Sequence, residues 1–352
     1  MGIAASYSGI HAKLKAMEGH LITPEQYAEI ASQPSVPEFL TYLKEHTSYA
    51  TIFEQSDANS LHRRTIETLL PQALYEDFKK IYLFATADQR TYLDIYFHGL
   101  EISFLKRCIT RVMHDHNIAD FHVTFDDFFE RHTRFSAEAL TKATTMEEIS
   151  EAMEHTAYAP IFTYLGNNPG STYADYELAI NLHYYANVWK TLNRLDTLST
   201  TDNSDMVRFH YGTQIDLCNL AWIRRAKFNF HIEQDRIITY LIPCHFKLHA
   251  GDVKEFINTS SIEEFDALLK ETYYGKHYGI TNAAALHDTF DRTVETIALK
   301  TAKANPYSIA SVYSYLITKE NEKNRLIRAL EGIRYGLDAR TILDYMNGGF
   351  LT

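Results

Sequence analysis

Apolar residues recur at helical spacing in three separated stretches of the chain: Phe39 and Leu43, Ile149 and Met153, then Phe265, Leu268 and Leu269. Each stretch opens with a hydroxyl residue that has Glu three positions on. The pairs are Ser35 with Glu38, Thr144 with Glu147, and Ser260 with Glu263. That spacing predicts a capping box, in which the hydroxyl takes an orphan amide and the Glu reaches back to the cap. The stretches read SVPEFLTYLKEHTSYATIF from Ser35, TTMEEISEAMEHTAYAPIF from Thr144, and SSIEEFDALLKETYYGKHY from Ser260. They lie 109 and 116 positions apart, and the same offsets carry Thr47 to Thr156 to Thr272 and Tyr49 to Tyr158 to Tyr274. The Thr-x-Tyr end predicts a helix terminus whose tyrosine packs under the next segment as core. The acid before the Thr follows less closely, because Glu45 and Glu154 align with Lys270, beside Glu271.

A second pattern also occurs three times, as FHGLEISFLKRCITRV (97–112), YGTQIDLCNLAWIRRAK (211–227) and TKENEKNRLIRALEGIR (318–334). In each, an acid precedes a leucine by one helical turn: Glu101 and Leu105, Asp216 and Leu220, Glu322 and Leu326. Basic residues follow closely: Lys106 and Arg107, Arg224 and Arg225, Arg325 and Arg328. The charged faces read as solvated, internally paired surfaces. Leu93, Phe97, Leu100, Phe104, Cys108 and Val112 share one stripe of a helix. Repeats of this kind predict an all-α chain of three helical units, 1–120, 121–235 and 236–352. The connectors expected are the His-rich 114–122, GNNPGS at 166–171, STTDNSD at 199–205 and IPCH at 242–245. Segment 237–242, IITYLI, suits a short strand or a buried helical turn equally. A short terminal helix is expected to open at Asp338 after Gly336 and to stop at Gly348-Gly349.

Composition supports this reading. Gly (14) and Pro (8) are scarce in 352 residues, which favours long helices. The net charge of -11 argues against a nucleic-acid binder, whose phosphate contacts need Lys and Arg. It also argues against direct association with anionic lipid. Cys108, Cys218 and Cys244 are too few for a disulfide framework and read as partly buried thiols in a reducing cytosol. The opening residues lack an apolar core with a cleavage site, so no signal peptide is expected. No apolar run approaches the ~18 residues of a membrane span.

Two clusters carry candidate chemistry. Asp126, Asp127 and Glu130 resemble the aspartate-rich motif of prenyl-diphosphate enzymes, where they would hold Mg²⁺ against a diphosphate. The partner metal cluster those enzymes need is not found in the sequence. His114, Asp115, His116, His122 and His132 suggest a metal site, but their spacing matches no helical face and no Cys or Glu completes a tetrahedral set. Neither a phosphate-binding GxxxxGK[ST] loop nor a G-x-S-x-G elbow occurs. These residues leave a triplicated helical scaffold or adaptor as the bottom-up reading, with the Mg²⁺-dependent enzyme as the alternative.

Four segments resemble the C subunit of archaeal and bacterial A/V-type ATPases, known as the d subunit in the eukaryotic vacuolar enzyme. They are YSGIHAKLKAMEGHLITPEQYAEI (7–30), ELAINLHYYANVW (177–189), IDLCNLAWIRRAK (215–227) and YLITKENEKNRLIRALEGIRYGLDARTIL (315–343). In the middle motif Asp216, Asn219 and Leu220 match an Ile-Asp-x-x-Asn-Leu core. In the last, Asn324, Leu326 and Arg328 match the Lys-Glu-x-Glu helix. The chain departs from the family at Cys244-His245, where a Gly-Gly pair is common, and segment 100–107 lacks a counterpart of Asn219. The resemblance implies three similar helical-bundle domains in a pseudo-threefold funnel. It implies a non-catalytic linker between the D and F subunits of the central stalk and the proteolipid rotor ring, cytoplasmic and peripheral on the membrane, with no cofactor and no lipid insertion.

Overall fold

The computed structural model describes residues 3–54, 63–114, 126–198, 203–282 and 290–347. Among these no strand occurs, and segment 237–242 begins as tight helical turns. Helix α1 (Ile3–Glu18) leads the chain. A set of three short helices and two long ones then follows three times among the described residues. The first set is α2 (Pro24–Ala31), α3 (Val36–His46), α4 (Ala50–Phe53), α5 (Arg63–Phe84) and α6 (Ala87–His114). After the short α7 (Asp127–His132) comes the second: α8 (Ala137–Lys142), α9 (Met146–Met153), α10 (Ala159–Gly166), α11 (Tyr173–Leu198) and α12 (Asn203–Arg224). A π turn (Arg225–Asn229) and the short α13 (Gln234–Ile237) lead to the third: α14 (Ala250–Asn258), α15 (Ile262–Glu271), α16 (Tyr273–Tyr278), α17 (Phe290–Ala304) and α18 (Ile309–Arg334). Helix α19 (Ala339–Met346) follows.

The caps explain where the short helices begin. Ser35 caps α3 and accepts from the Glu38 amide, in the expected register. In the other two copies the register is one residue later than expected. Thr145 caps α9 in a full capping box with Glu148, and Ser261 caps α15 by accepting from the Glu264 amide. The neighbours Thr144 and Ser260 instead donate their backbone N–H groups to those same glutamates. The repeated threonines end these helices alike. Thr47, Thr156 and Thr272 donate their hydroxyls to Leu43, Met153 and Leu269 carbonyls at 2.6, 2.8 and 2.6 Å. Each then accepts an amide of the following turn, from Tyr49, Tyr158 and Gly275. At the end of α18, Gly336 adopts φ +68 and closes a Schellman turn, with Leu337 N donating to Gly332 O at 3.1 Å.

The long helices pack in a closed cycle. Helix α6 lies against α11 of the next set, α12 against α17, and α18 returns to α5. One apolar cluster therefore joins the two halves of the chain, with Phe39, Leu43 and Phe53 packed with Leu326, Leu330 and Ile342. Each such fully buried side chain contributes roughly 1.5–3 kcal/mol. Where the acid-bearing helices meet, Tyr313 of α18 stands edge-on to Tyr96 of α6 at 5.9 Å and to Tyr211 of α12 at 6.0 Å.

Candidate functional site

The two repeated sequence patterns meet in space, and they meet between copies. Glu322 on α18 accepts the Tyr49 hydroxyl at 3.0 Å and the Ile22 amide at 2.6 Å. Asp216 on α12 accepts the Tyr274 hydroxyl at 2.7 Å, with the Lys247 and Leu248 amides at 2.7 and 3.1 Å and Phe246 N at 3.2 Å. Glu101 on α6 accepts the Arg134 amide at 2.7 Å, and its other oxygen is taken by His98 Nδ1. Tyr158 stands near enough for the Glu101 charge to raise its pKa further, after burial. Thus each acid binds the chain just before the first short helix of the next copy, and that copy's Thr-x-Tyr tyrosine lies beside it. The third acid closes the cycle on the first copy.

All three acids are buried, as are Leu105, Leu220 and Leu326 one turn on. This corrects the expectation of solvated faces for the acids. A buried carboxylate is tolerable only when donors satisfy it, and here they are amides and phenols arriving from another part of the chain, joined by His98 at Glu101 and Lys319 at Glu322 from the same helix. Burial first, then the neighbouring carboxylate, pushes the Tyr49 and Tyr274 phenols well above their ordinary range. These tyrosines hold their protons and act as donors. Burial likewise raises Asp216, while its hydrogen bonds pull the other way.

The third junction has an addition that sequence reasoning missed. Lys319 forms a buried ion pair with Glu322 at 2.5 Å and lies 4.3 Å over the Tyr49 ring. The signal was present as Lys and Glu three apart, but burial was not legible. Asn219 clamps the backbone of Ile242 from both sides, donating to its carbonyl at 3.0 Å and accepting its amide at 2.9 Å. Arg328 pairs with Asp291 on α17 at 3.4 Å, and Arg325 with the buried Glu295 at 2.7 Å.

The acidic cluster does not assemble as a diphosphate site. Asp126 is the cap of α7 rather than a residue within it, accepting from Phe129 N. It also accepts from Tyr75 and pairs with Lys79 at 2.7 Å. Burial raises its pKa, but these partners outweigh that and hold it at about 2. Asp127 is exposed, and Glu130 accepts the Glu138 amide. Among the described residues no three His, Cys, Asp or Glu side chains converge to hold a metal. His132 packs flat on Phe128 and His114 lies near Tyr173, while Asp115, His116 and His122 fall outside the described residues.

The ATP synthase (C/AC39) subunit family model matches residues 10–345. Among curated proteins, the A-type ATP synthase C subunit of Methanosphaera stadtmanae is 22% identical over 334 residues, covering 91% of this chain and 82% of that protein. The C subunit of the Methanothermobacter thermautotrophicus enzyme is 22% identical, covering 90% and 81%. That of Thermococcus kodakarensis is 23% identical, covering 97% of this chain and 90% of its own.

Proposed function

The chain belongs to the ATP synthase (C/AC39) subunit family, and we propose that it is the linker between the central shaft and the membrane rotor ring of a rotary ATPase. It is a non-catalytic component of such an ion-transporting complex. In this reading three helical units, 1–120, 121–235 and 236–352, form a pseudo-threefold funnel. The funnel holds the shaft made by the D and F subunits and sits on the proteolipid ring. No described helix is long and apolar enough to cross a membrane. Peripheral attachment would then run through the ring's protein loops, which an acidic chain tolerates better than anionic lipid.

The observation that carries this reading is the cyclic set of cross-copy junctions at Glu101, Asp216 and Glu322. A part that passes torque must resist shear between its units and needs no bond-making chemistry. Buried carboxylates with satisfied donors, closed into a ring, give that resistance, because opening one exposes or orphans several polar groups at once.

The test uses a purified catalytic head carrying D and F, together with membranes that contain the proteolipid ring. Without the chain, the head should hydrolyse ATP but stay in the supernatant when membranes are sedimented. Adding the chain should bring the head down with the membranes. Equal sedimentation without it would overturn the linker role.

A further inference from the structure

A cavity of about 250 Å³ opens between α5, α6, α11 and α18. Leu74, Leu100 and Phe104 make its apolar wall, and three cations line it: Lys106, Arg107 and Lys323. Only two acids, Glu177 and Glu320, share the lining, so one cation is in excess. Lys106 is engaged by Glu177 at 3.5 Å and Asn181 at 3.2 Å, and Lys323 by Glu320 at 3.9 Å. Arg107 is the cation left over. Its Nε and Nη1 are buried without a hydrogen-bond partner among the described residues, and so is Gln72 Nε2 in the same wall. All three are donor groups of side chains that line the cavity.

Two arginines of the same chain show how such a group is ordinarily satisfied. Arg111, one turn beyond, donates its two terminal nitrogens to the carbonyls of Leu140, Thr141 and Ala143. Arg328 follows Glu322 by the same interval as Arg107 follows Glu101, and it pairs with Asp291 on the helix before it. At the cavity, the helix before Arg107 presents Gln72 instead of an acid. A buried cation without a counter-charge is costly, and burial accordingly lowers the Arg107 pKa.

We propose that this cavity binds a small tetrahedral oxyanion of the phosphate class, held by the Arg107 guanidinium and the Gln72 amide. Phosphate offers acceptors alone and suits the planar fork of an arginine. The space falls below the ~300–1,000 Å³ of pockets for drug-sized ligands, so the ligand is a free ion or a small ester rather than a nucleotide.

The test is titration of the full-length chain with inorganic phosphate at constant ionic strength, read by calorimetry and by Tm against a chloride control. Saturable one-site binding with a raised Tm is expected. Arg107→Met should weaken it at least tenfold. Gln72→Glu supplies the missing carboxylate, so it should abolish binding and raise Tm in phosphate-free buffer. Because Gln72→Glu is expected to gain stability, it decides the matter even if Arg107→Met fails to fold. Glycerol phosphate separates the sources: binding as tight as phosphate points to an ester, weaker binding to the free ion. Absence of saturable binding, or binding unchanged in Gln72→Glu, overturns the proposal.

Discussion

Tyr49 donates its hydroxyl to Glu322 at 3.0 Å across 273 positions of sequence. The bond ties the first copy's short helices to the long helix that ends the third. With the Ile22 amide, it is one of two hydrogen bonds by which Glu322 holds the first copy at this point.

Replacing Tyr49 by Phe removes one hydrogen bond to a buried carboxylate and keeps the ring. The expected loss is about 1.5–3 kcal/mol, seen as a lower urea midpoint with unchanged slope. Glu322→Ala should cost more, about 3–5 kcal/mol, because Lys319 is then left buried and unpaired. Hydrogen exchange should speed up in α2–α4 and α18 of both variants. Equal losses in the two variants would show that Lys319 does not depend on Glu322.

Asp216→Asn tests the second junction. Tyr274 and the Lys247 and Leu248 amides converge on one carboxylate oxygen, and Phe246 N addresses the other. An amide can keep its oxygen toward three of these donors only by turning its own N–H groups toward the fourth. The expected cost is about 1–3 kcal/mol, measured by thermal denaturation. A neutral result would mean that these amides find other acceptors.

Much of this was legible in the sequence, for a physical reason: caps and helical periodicity are local. The three copies, their threonine terminators and the acid–leucine turn could all be read from spacing. The cap register slipped in two copies because Thr144-Thr145 and Ser260-Ser261, followed by Glu147-Glu148 and Glu263-Glu264, offer two equivalent frames. The later frame wins where Ile149, Met153, Phe265 and Leu269 are all buried. The burial of Glu101, Asp216 and Glu322 was not legible, because the backbone amides that satisfy them belong to the next copy of the repeat. A carboxylate among nearby arginines looks solvated until the Ile22, Arg134 and Leu248 amides are seen to reach it.

Gly212 gives a prediction of opposite sense to helix propensity. It lies inside α12, where alanine normally gains roughly 0.5–1 kcal/mol. Here an added Cβ would stand 2.8 Å from Phe246 Cβ, near the root of that side chain, where little can swing aside. Phe246 also donates its amide to Asp216, so displacing it disturbs the junction. Gly212→Ala should therefore destabilise by about 1–3 kcal/mol. A raised Tm would show that Phe246 relaxes freely.

The last prediction concerns pH. His210 is buried against Tyr211 and Tyr313, with ring centroids 5.0 and 5.4 Å away, and burial holds its pKa at about 3. In the unfolded chain a histidine titrates near pH ~6.5. The folded value is depressed, so between those limits the unfolded state binds the extra proton. The contribution is complete above the unfolded pKa and is lost as pH falls from roughly 6.5 toward 3, by at most about 1.4 kcal/mol per pH unit. His183 is also lowered, by burial and then by Arg134, and adds a loss of the same sign. Asp126, held at about 2, adds its loss only below the ordinary carboxylate range. His210→Phe keeps an aromatic ring but cannot take up the proton. Urea midpoints measured near pH 7 and again about 1.5 units lower should fall in the parent chain and fall less in the variant. The difference should be on the order of 1 kcal/mol; parallel losses would show that His210 is not the group that titrates.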